Sequence, residues 1–192
     1  MTDRGYSIDA LNESTWPAFE ALVLANNGIF GGCWCMGFHP EGGDKTDTAP
    51  TKRDRKLSRV RAGTAHAALV FDGDDCVGWC QFGAPAEVAR IKNRAVYERE
   101  LISLPDWRIG CAFVGKGHRR QGVFAAALAG SLELVAGLGG GTVEGYPEPA
   151  NAVPAGFLYH GSLSTFDDAE FARARKIGKH RWVVVKVIDR GP

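Results

Sequence analysis

The stretch His118-Arg119-Arg120-Gln121-Gly122-Val123-Phe124-Ala125-Ala126-Ala127-Leu128 sets the reading of this chain. Ahead of it, Cys111-Ala112-Phe113-Val114 is short and apolar, the pattern of a buried strand. Behind it the period turns helical: Phe124, Leu128, Leu132 and Val135 recur at spacings of four, four and three, which is one face of a helix. Glycines 139–141 stop that helix, and Thr142-Val143-Glu144 reads as a second strand. A strand–turn–helix–strand unit normally places its two strands parallel.

The turn carries the chemistry. Free backbone N–H groups at a helix N-terminus attract anions, and Gly122 lets a phosphate approach the backbone closely. Arg119 and Arg120 add charged contacts to phosphate oxygens. A pyrophosphate suits this spot; a solvated basic turn ahead of a core helix is the plainer alternative.

Residues 114–128 resemble the acetyl-CoA pyrophosphate-binding segment of the GNAT N-acetyltransferase superfamily, whose pattern is Arg/Gln-x-x-Gly-x-Gly/Ala on a strand–loop–helix unit. Arg119, Arg120, Gln121, Gly122 and Val123 match in order, whereas Phe124 stands where the family has a second Gly or Ala. The order of elements extends the resemblance over roughly residues 6–188. It implies an α/β (α+β) fold with a mixed, mostly antiparallel central sheet flanked by helices and one parallel strand pair around the cofactor-binding turn. The implied cofactor is acetyl-CoA or coenzyme A. The backbone of the strand near Ala112, Phe113 and Val114 would pair with its pantetheine arm, with Arg119, Arg120, Gln121, Gly122, Val123, Phe124 and Ala125 around the pyrophosphate. The implied activity is transfer of an acetyl group to a primary amine by direct attack in a ternary complex. The rival reading is a non-catalytic acyl-CoA-binding regulatory module.

Two side chains stand out for the reaction. Glu144 ends the strand after the crossover, where parallel sheets present ligand sites. Flanked by Val143 and Gly145, it would lose solvent and gain basicity; a carboxylate held by a neighbouring arginine is the alternative. Asp106 is a second candidate base. By the family pattern, a proton-donating tyrosine lies four residues before a Gly-Phe pair. Here the pair is Glu170-Phe171 and the position holds Phe166, which has no proton to give. Tyr159, His160 or Tyr146 would supply it instead, with Tyr159 the first choice and a packed aromatic its plain alternative. Cys80 and Cys111 read as core thiols.

Composition bounds the remainder. The chain has 192 residues and reads as a single domain over residues 1–192. Hydrophobic residues make up 45% and charged residues 23%, enough for a real core. A net charge of +1 supplies no field for nucleic acid or an acidic membrane. No apolar run is long enough to span a bilayer, and the first residues lack a signal-peptide core. Five cysteines, an odd number, favour reduced thiols and a cytoplasmic setting over a disulfide framework. The expected partner is a small-molecule or protein amine, with neither nucleic acid nor membrane; homodimer formation is left open.

Residues 6–11 read as a first strand, followed by a helix capped by Ser14 or Thr15, with Trp16, Phe19, Leu22 and Val23 as its apolar face and Asn26-Asn27-Gly28 as its end. Cys33, Cys35 and His39, with Cys76 and Cys80, have poor spacing for zinc, so the segment reads as packed small hydrophobes and no metal is expected. In GNAT proteins this segment walls the acceptor pocket, which would give Trp34, Met36 and Phe38 that role. Residues 51–62 read as a basic surface helix with Leu57 and Val60 as its thin apolar stripe. Asp72-Gly73 between two apolar runs marks a hairpin. Residues 88–101 read as a helix without identifiable chemistry, with His66 structural. Residues 163–171 read as a helix capped by Ser164 or Thr165, and 173–188 as a final hairpin.

Overall fold

The computed structural model describes residues 5–152 and 158–191. Seven strands form one sheet: β1 (Ser7–Ala10), β2 (His66–Asp72), β3 (Asp75–Gly83), β4 (Trp107–Val114), β5 (Gly141–Gly145), β6 (Ala172–Lys176) and β7 (Trp182–Ile188). Their order is β1-β2-β3-β4-β5-β7-β6. β4 and β5 run parallel and every other neighbouring pair is antiparallel. The helices are α1 (Trp16–Ala25), α2 (Ala49–Arg61), α3 (Arg94–Arg99), α4 (Val123–Gly137) and α5 (Leu163–Asp168).

Two layers cover the sheet, and strand alternation decides which residue meets which layer. Leu69 of β2 and Trp79 of β3 face α1, which buries Trp16, Phe19, Leu22 and Val23. Val70, Cys80 and Val143 face α4 and α5. In β7, Val184 joins that second layer, while Val183 turns the other way to meet Tyr97 of α3. The Asp-Gly signal between β2 and β3 is a two-residue turn at Gly73-Asp74, with Gly73 at φ 62° where glycine has no Cβ to clash.

Several local expectations are corrected. On α4 the fully buried stripe is Val123, Ala127, Leu128, Ser131 and Val135; Phe124 and Leu132 are only partly buried. The helix lies close to β2 and β3, so small residues occupy its contact line. Thr15 is the N-cap of α1 as expected but makes no side-chain capping bond; Asn12 Oδ1 instead accepts from the N–H groups of Ser14 and Thr15 in the turn ahead of it. Ser162 caps α5, accepting from Thr165 N, and that helix ends at Asp168. The expected helix over 88–101 is only α3; Asn93, in the left-handed region at φ 59°, breaks it at the start. α2 is not a purely solvated helix: Lys56 is 1% exposed and lies inside with Val60, while Leu57 is partly buried.

Two buried histidines tie loops to the sheet. His39 Nδ1 donates to Glu87 O (2.9 Å), so its Nε2 carries the lone pair and accepts from Gln81 Nε2 (2.8 Å) and Lys56 Nζ (3.0 Å). His160 Nδ1 donates to Gly110 O (2.8 Å). Burial, reinforced by the Lys56 charge, lowers the His39 pKa to about 2. Burial and the Arg181 charge lower that of His160 to about 3.

Below pH 6.5 the unfolded chain therefore takes up protons that the folded chain refuses down to about pH 3. Stability should be full above pH 6.5 and fall with acid, by up to about 1.4 kcal/mol per pH unit for each histidine. Urea denaturation at pH 7, 6 and 5 should show a shallower slope for His39→Gln than for the parent; an equal slope would show that the imidazole does not titrate on unfolding. Separately, a Cβ at Gly145 would meet the ring of Phe166, which is fully buried. Gly145→Ala should therefore lower stability by about 1–3 kcal/mol in the same assay.

Candidate active site

The turn between β4 and α4 is built from backbone. A short 3-10 turn, Lys116–His118, is followed by Arg119 in extended conformation, Arg120 at φ 60° and Gly122 at φ 85°. Gly122 is the N-cap of α4 and offers no side chain, so no side-chain oxygen occupies the helix start. The first N–H groups of a helix have no intrahelical acceptor, and here they point outward with the positive end of the helix dipole. Arg119 and Arg120 are both exposed beside them.

A cavity of about 380 Å³ opens from this turn along the end of β4. The structure brings Ala112, Phe113, Val114, Arg119, Arg120, Gly122, Val123, Phe124, Ala125 and Tyr159 together in its wall. Gln121 is outside the lining: its amide donates to Gly117 O and braces the turn. Phe30 and Ser162 close the far side.

β4 pairs with β5 only at Trp107–Val143 and Arg108–Glu144. Between its Ile109–Phe82 and Ala112–Cys80 pairs, β4 carries one residue more than β3, a bulge at Gly110 and Cys111. The bulge leaves polar backbone unpaired, and side chains take it up: Gln81 Oε1 accepts from Cys111 N (3.4 Å). On the edge facing β5, Tyr159 O accepts from Ala112 N (2.6 Å), next to the His160–Gly110 bond. The strand-edge pairing that the resemblance gave to pantetheine is thus already made at Ala112 within the chain. The turn fits a pyrophosphate; along the strand the fit is limited to the cavity beyond Ala112.

The two departures from the family pattern touch each other. The Phe124 side chain lines the cavity, and its ring lies 6.1 Å from that of Phe166. It also fills the space where a Cβ on Gly161 would stand. Phe166 is 0% exposed and packs on Phe171, so this position does not face the cavity. Tyr159 does face it, with Phe30 at its edge and Lys92 Nζ 4.6 Å from the ring centroid.

Glu144 is 5% exposed, and the hydroxyls of Tyr97 and Tyr146 both donate to its Oε2 at 2.8 Å. Arg108 is its register partner on β4 and reaches Tyr97 Oη at 3.4 Å. The carboxylate is therefore held by tyrosines, with the arginine one step behind. Burial raises the pKa of both phenols, so they remain donors to the carboxylate. A second cavity, about 460 Å³, lies between α3 and the segment before it, with Tyr97 and Arg108 in its wall. Asp106, the other candidate base, instead accepts from Thr142 N (2.7 Å) and anchors the start of β5.

The Cys33–His39 side chains are engaged elsewhere. Among the described residues no group of three or more His, Cys, Asp or Glu is placed to hold a metal ion. Cys35 Sγ donates to Gln81 Oε1 (3.2 Å) and Cys111 is buried. Trp34 and Met36 are core residues, Trp34 stacking on Trp16 at 6.2 Å; of the three proposed pocket walls only Phe38 reaches the site, against Tyr159 and His160. Sequence reasoning missed Tyr97, Arg108, Lys56 and Arg181 as interior polar groups. Each is a single residue with ordinary polar or charged neighbours, and only tertiary contact reveals its burial.

No protein-family model matches the chain, and no curated protein matches it. Solved structures do. A GNAT-family protein from Desulfovibrio desulfuricans aligns over 96% of this chain and 99% of its own, with 13% identity and a TM-score of 0.55. RimL, a ribosomal L7/L12 alpha-N-protein acetyltransferase, aligns over 96% and 94% with 16% identity and a TM-score of 0.52. The yncA protein of Salmonella typhimurium, solved with its cofactor acetyl-CoA, aligns over 97% and 95% with 12% identity and a TM-score of 0.55. Identities this low speak for the fold alone. Among the described residues no helix is long and apolar enough to cross a membrane. With its single parallel strand pair opening on an uncapped helix, this chain has the GNAT N-acetyltransferase fold.

Proposed function

We propose that the chain is an N-acyltransferase that moves an acetyl group from acetyl-CoA to a primary amine within a ternary complex. The observation that carries this reading is the uncapped start of α4, with Gly122 left-handed and Arg119 and Arg120 beside it, opening into the cavity along β4. Backbone N–H groups of residues 123–125 and the two guanidiniums would hold the pyrophosphate. Acetyl-CoA, when bound, supplies an acyl group activated as a thioester. The chain positions the amine against it, and positioning alone lowers a bimolecular barrier substantially.

Proton handling falls to two groups. Glu144, held in place by the Tyr97 and Tyr146 hydroxyls, takes the proton that the amine loses on attack. Tyr159, in the wall of the cavity, offers a hydroxyl to the leaving sulfur. The engaged Ala112 N–H favours one alternative, a non-catalytic acyl-CoA-binding regulatory module.

Calorimetric titration with acetyl-CoA, with ATP and NAD as controls, tests the cofactor; thiol release over an amine panel tests the chemistry. Saturable binding of acetyl-CoA alone is expected, and no binding would overturn the reading. Binding without turnover on any amine would select the regulatory module. Arg119→Ala with Arg120→Ala should weaken acetyl-CoA binding at least about tenfold and leave the melting temperature unchanged, because both side chains are exposed. Glu144→Gln should lower kcat by about 100-fold with acetyl-CoA binding unchanged; equal losses in both would mean that the carboxylate is structural.

A further inference from the structure

Arg108 of β4 is 5% exposed, and its guanidinium carries donors on every nitrogen. Neutral groups meet some of them, at long range. Nη1 donates to Val88 O at 3.1 Å and Pro85 O at 3.5 Å, and Nη2 donates to Tyr97 Oη at 3.4 Å. Nε is buried without a partner. Arg181, the other buried arginine, is paired with Glu148 at 2.8 Å. Arg108 has no such carboxylate among the described residues; Glu144 is reached only through the Tyr97 hydroxyl. A buried charge with incomplete hydrogen bonds is costly, so an anion beside this guanidinium would be stabilised.

The same side chain stands in the wall of the cavity of about 460 Å³ beside α3. Most of that wall is apolar, with Pro85, Ala89, Ile91, Leu101 and Leu104 around Tyr97. Leu104 keeps 58% of its surface exposed, and covering such area with an apolar group is favourable. Arg94 and Glu98 are the other charged wall residues, and they answer each other at 2.6 Å. The charge left over in the wall is that of Arg108. An apolar cleft with one convergent charged group has the composition of a small-molecule site. It shares no wall residue with the cavity at the α4 turn, so its occupant is separate from whatever the turn holds.

We infer that this cavity is a second ligand site and that its ligand is an apolar monocarboxylate, with the carboxylate on Arg108 and the apolar body against Ile91, Leu101 and Leu104. A neutral apolar molecule would leave the guanidinium unanswered. A small polar anion such as inorganic phosphate would leave the apolar wall uncovered. The site is independent of the acetyltransferase reading: it uses none of the residues at the α4 turn, and it stands whether or not the chain transfers an acetyl group.

Matched acids and amides test it. The full-length chain is titrated calorimetrically with octanoate and 3-phenylpropionate, and with octanamide and 3-phenylpropionamide, each with and without saturating coenzyme A. At least one acid should bind saturably and at least about tenfold more tightly than its amide, the effect of one hydrogen bond to a charged group. Coenzyme A should leave that affinity unchanged. Arg108→Gln should bring acid and amide to the same affinity, and Arg108→Lys should keep part of the difference. Ala89→Trp fills the cavity from a half-buried wall position and should abolish binding of the acid with the melting temperature held. Binding by neither acid, equal affinities within both pairs, or acid binding that survives Ala89→Trp would overturn the inference. Acid binding that coenzyme A displaces would overturn it too, by moving the ligand to the α4 turn. The acid–amide comparison in the parent chain and the Ala89 variant decide the matter even if the Arg108 variants do not fold. If coenzyme A and acetyl-CoA do not bind while an acid does, the acetyltransferase reading fails alone.

Discussion

β4 runs for eight residues but pairs with β5 only through Trp107 and Arg108. Beyond them the bulge at Gly110 and Cys111 turns the strand away, and a strip of backbone N–H and C=O groups is left without a sheet partner. Buried backbone polar groups must find partners, so whatever lies in this opening is dictated by them. In this chain the 159–160 segment answers, with the Tyr159 carbonyl on Ala112 and the His160 ring on Gly110. The same opening meets the α4 N-terminus, whereas Glu144 and its two tyrosines lie inside the sheet beside Arg108.

The chain fills this frame with its own chemistry. A tyrosine is replaced by Phe166 and a small residue by Phe124, and the two rings share one apolar pocket with Gly145 and Gly161 as their close neighbours. Phenolic hydroxyls come instead from Tyr97 and Tyr146, both on Glu144, while Tyr159 stands in the cavity wall. On the opposite layer, Lys56, His39 and Gln81 make a buried polar cluster beneath the 33–39 loop. That cluster fixes the loop to β3 and so holds Phe38 against Tyr159 and His160. Such groups rigidify a site when their hydrogen bonds are complete and are costly when they are not. His39, with both ring nitrogens engaged, belongs to the first case; His160, with one nitrogen vacant, belongs to the second.

Much of the local structure was legible in the chain. The apolar run 111–114, the helical period after Gly122, the Asp72-Gly73 turn and the Trp182-Val183-Val184-Val185 strand are all present where their patterns placed them. These are local signals, set by spacing, turn chemistry and β-branched content. The reading failed where a residue's partner is remote. Residues 88–101 have helical composition but are held largely as loop, with Asn93 bonded to the Ile177 carbonyl. Lys56 looked solvated on a basic helix because nothing near it in sequence tells of His39.

The sequence by itself determined the strand–turn–helix unit and its glycine turn, because each depends on contacts within a few residues, while the sheet class came from the family resemblance. Arg119, Gly122 and the α4 start form their site through backbone geometry that the residues themselves favour. Only the tertiary structure decided that Glu144 is gripped by two tyrosines, that Ala112 is already paired, and that Arg181 and His160 come inside with polar atoms unanswered. Burial and hydrogen-bond saturation are properties of the packed chain: they depend on which groups from distant segments enter the same small volume, and no pattern along a single segment records that.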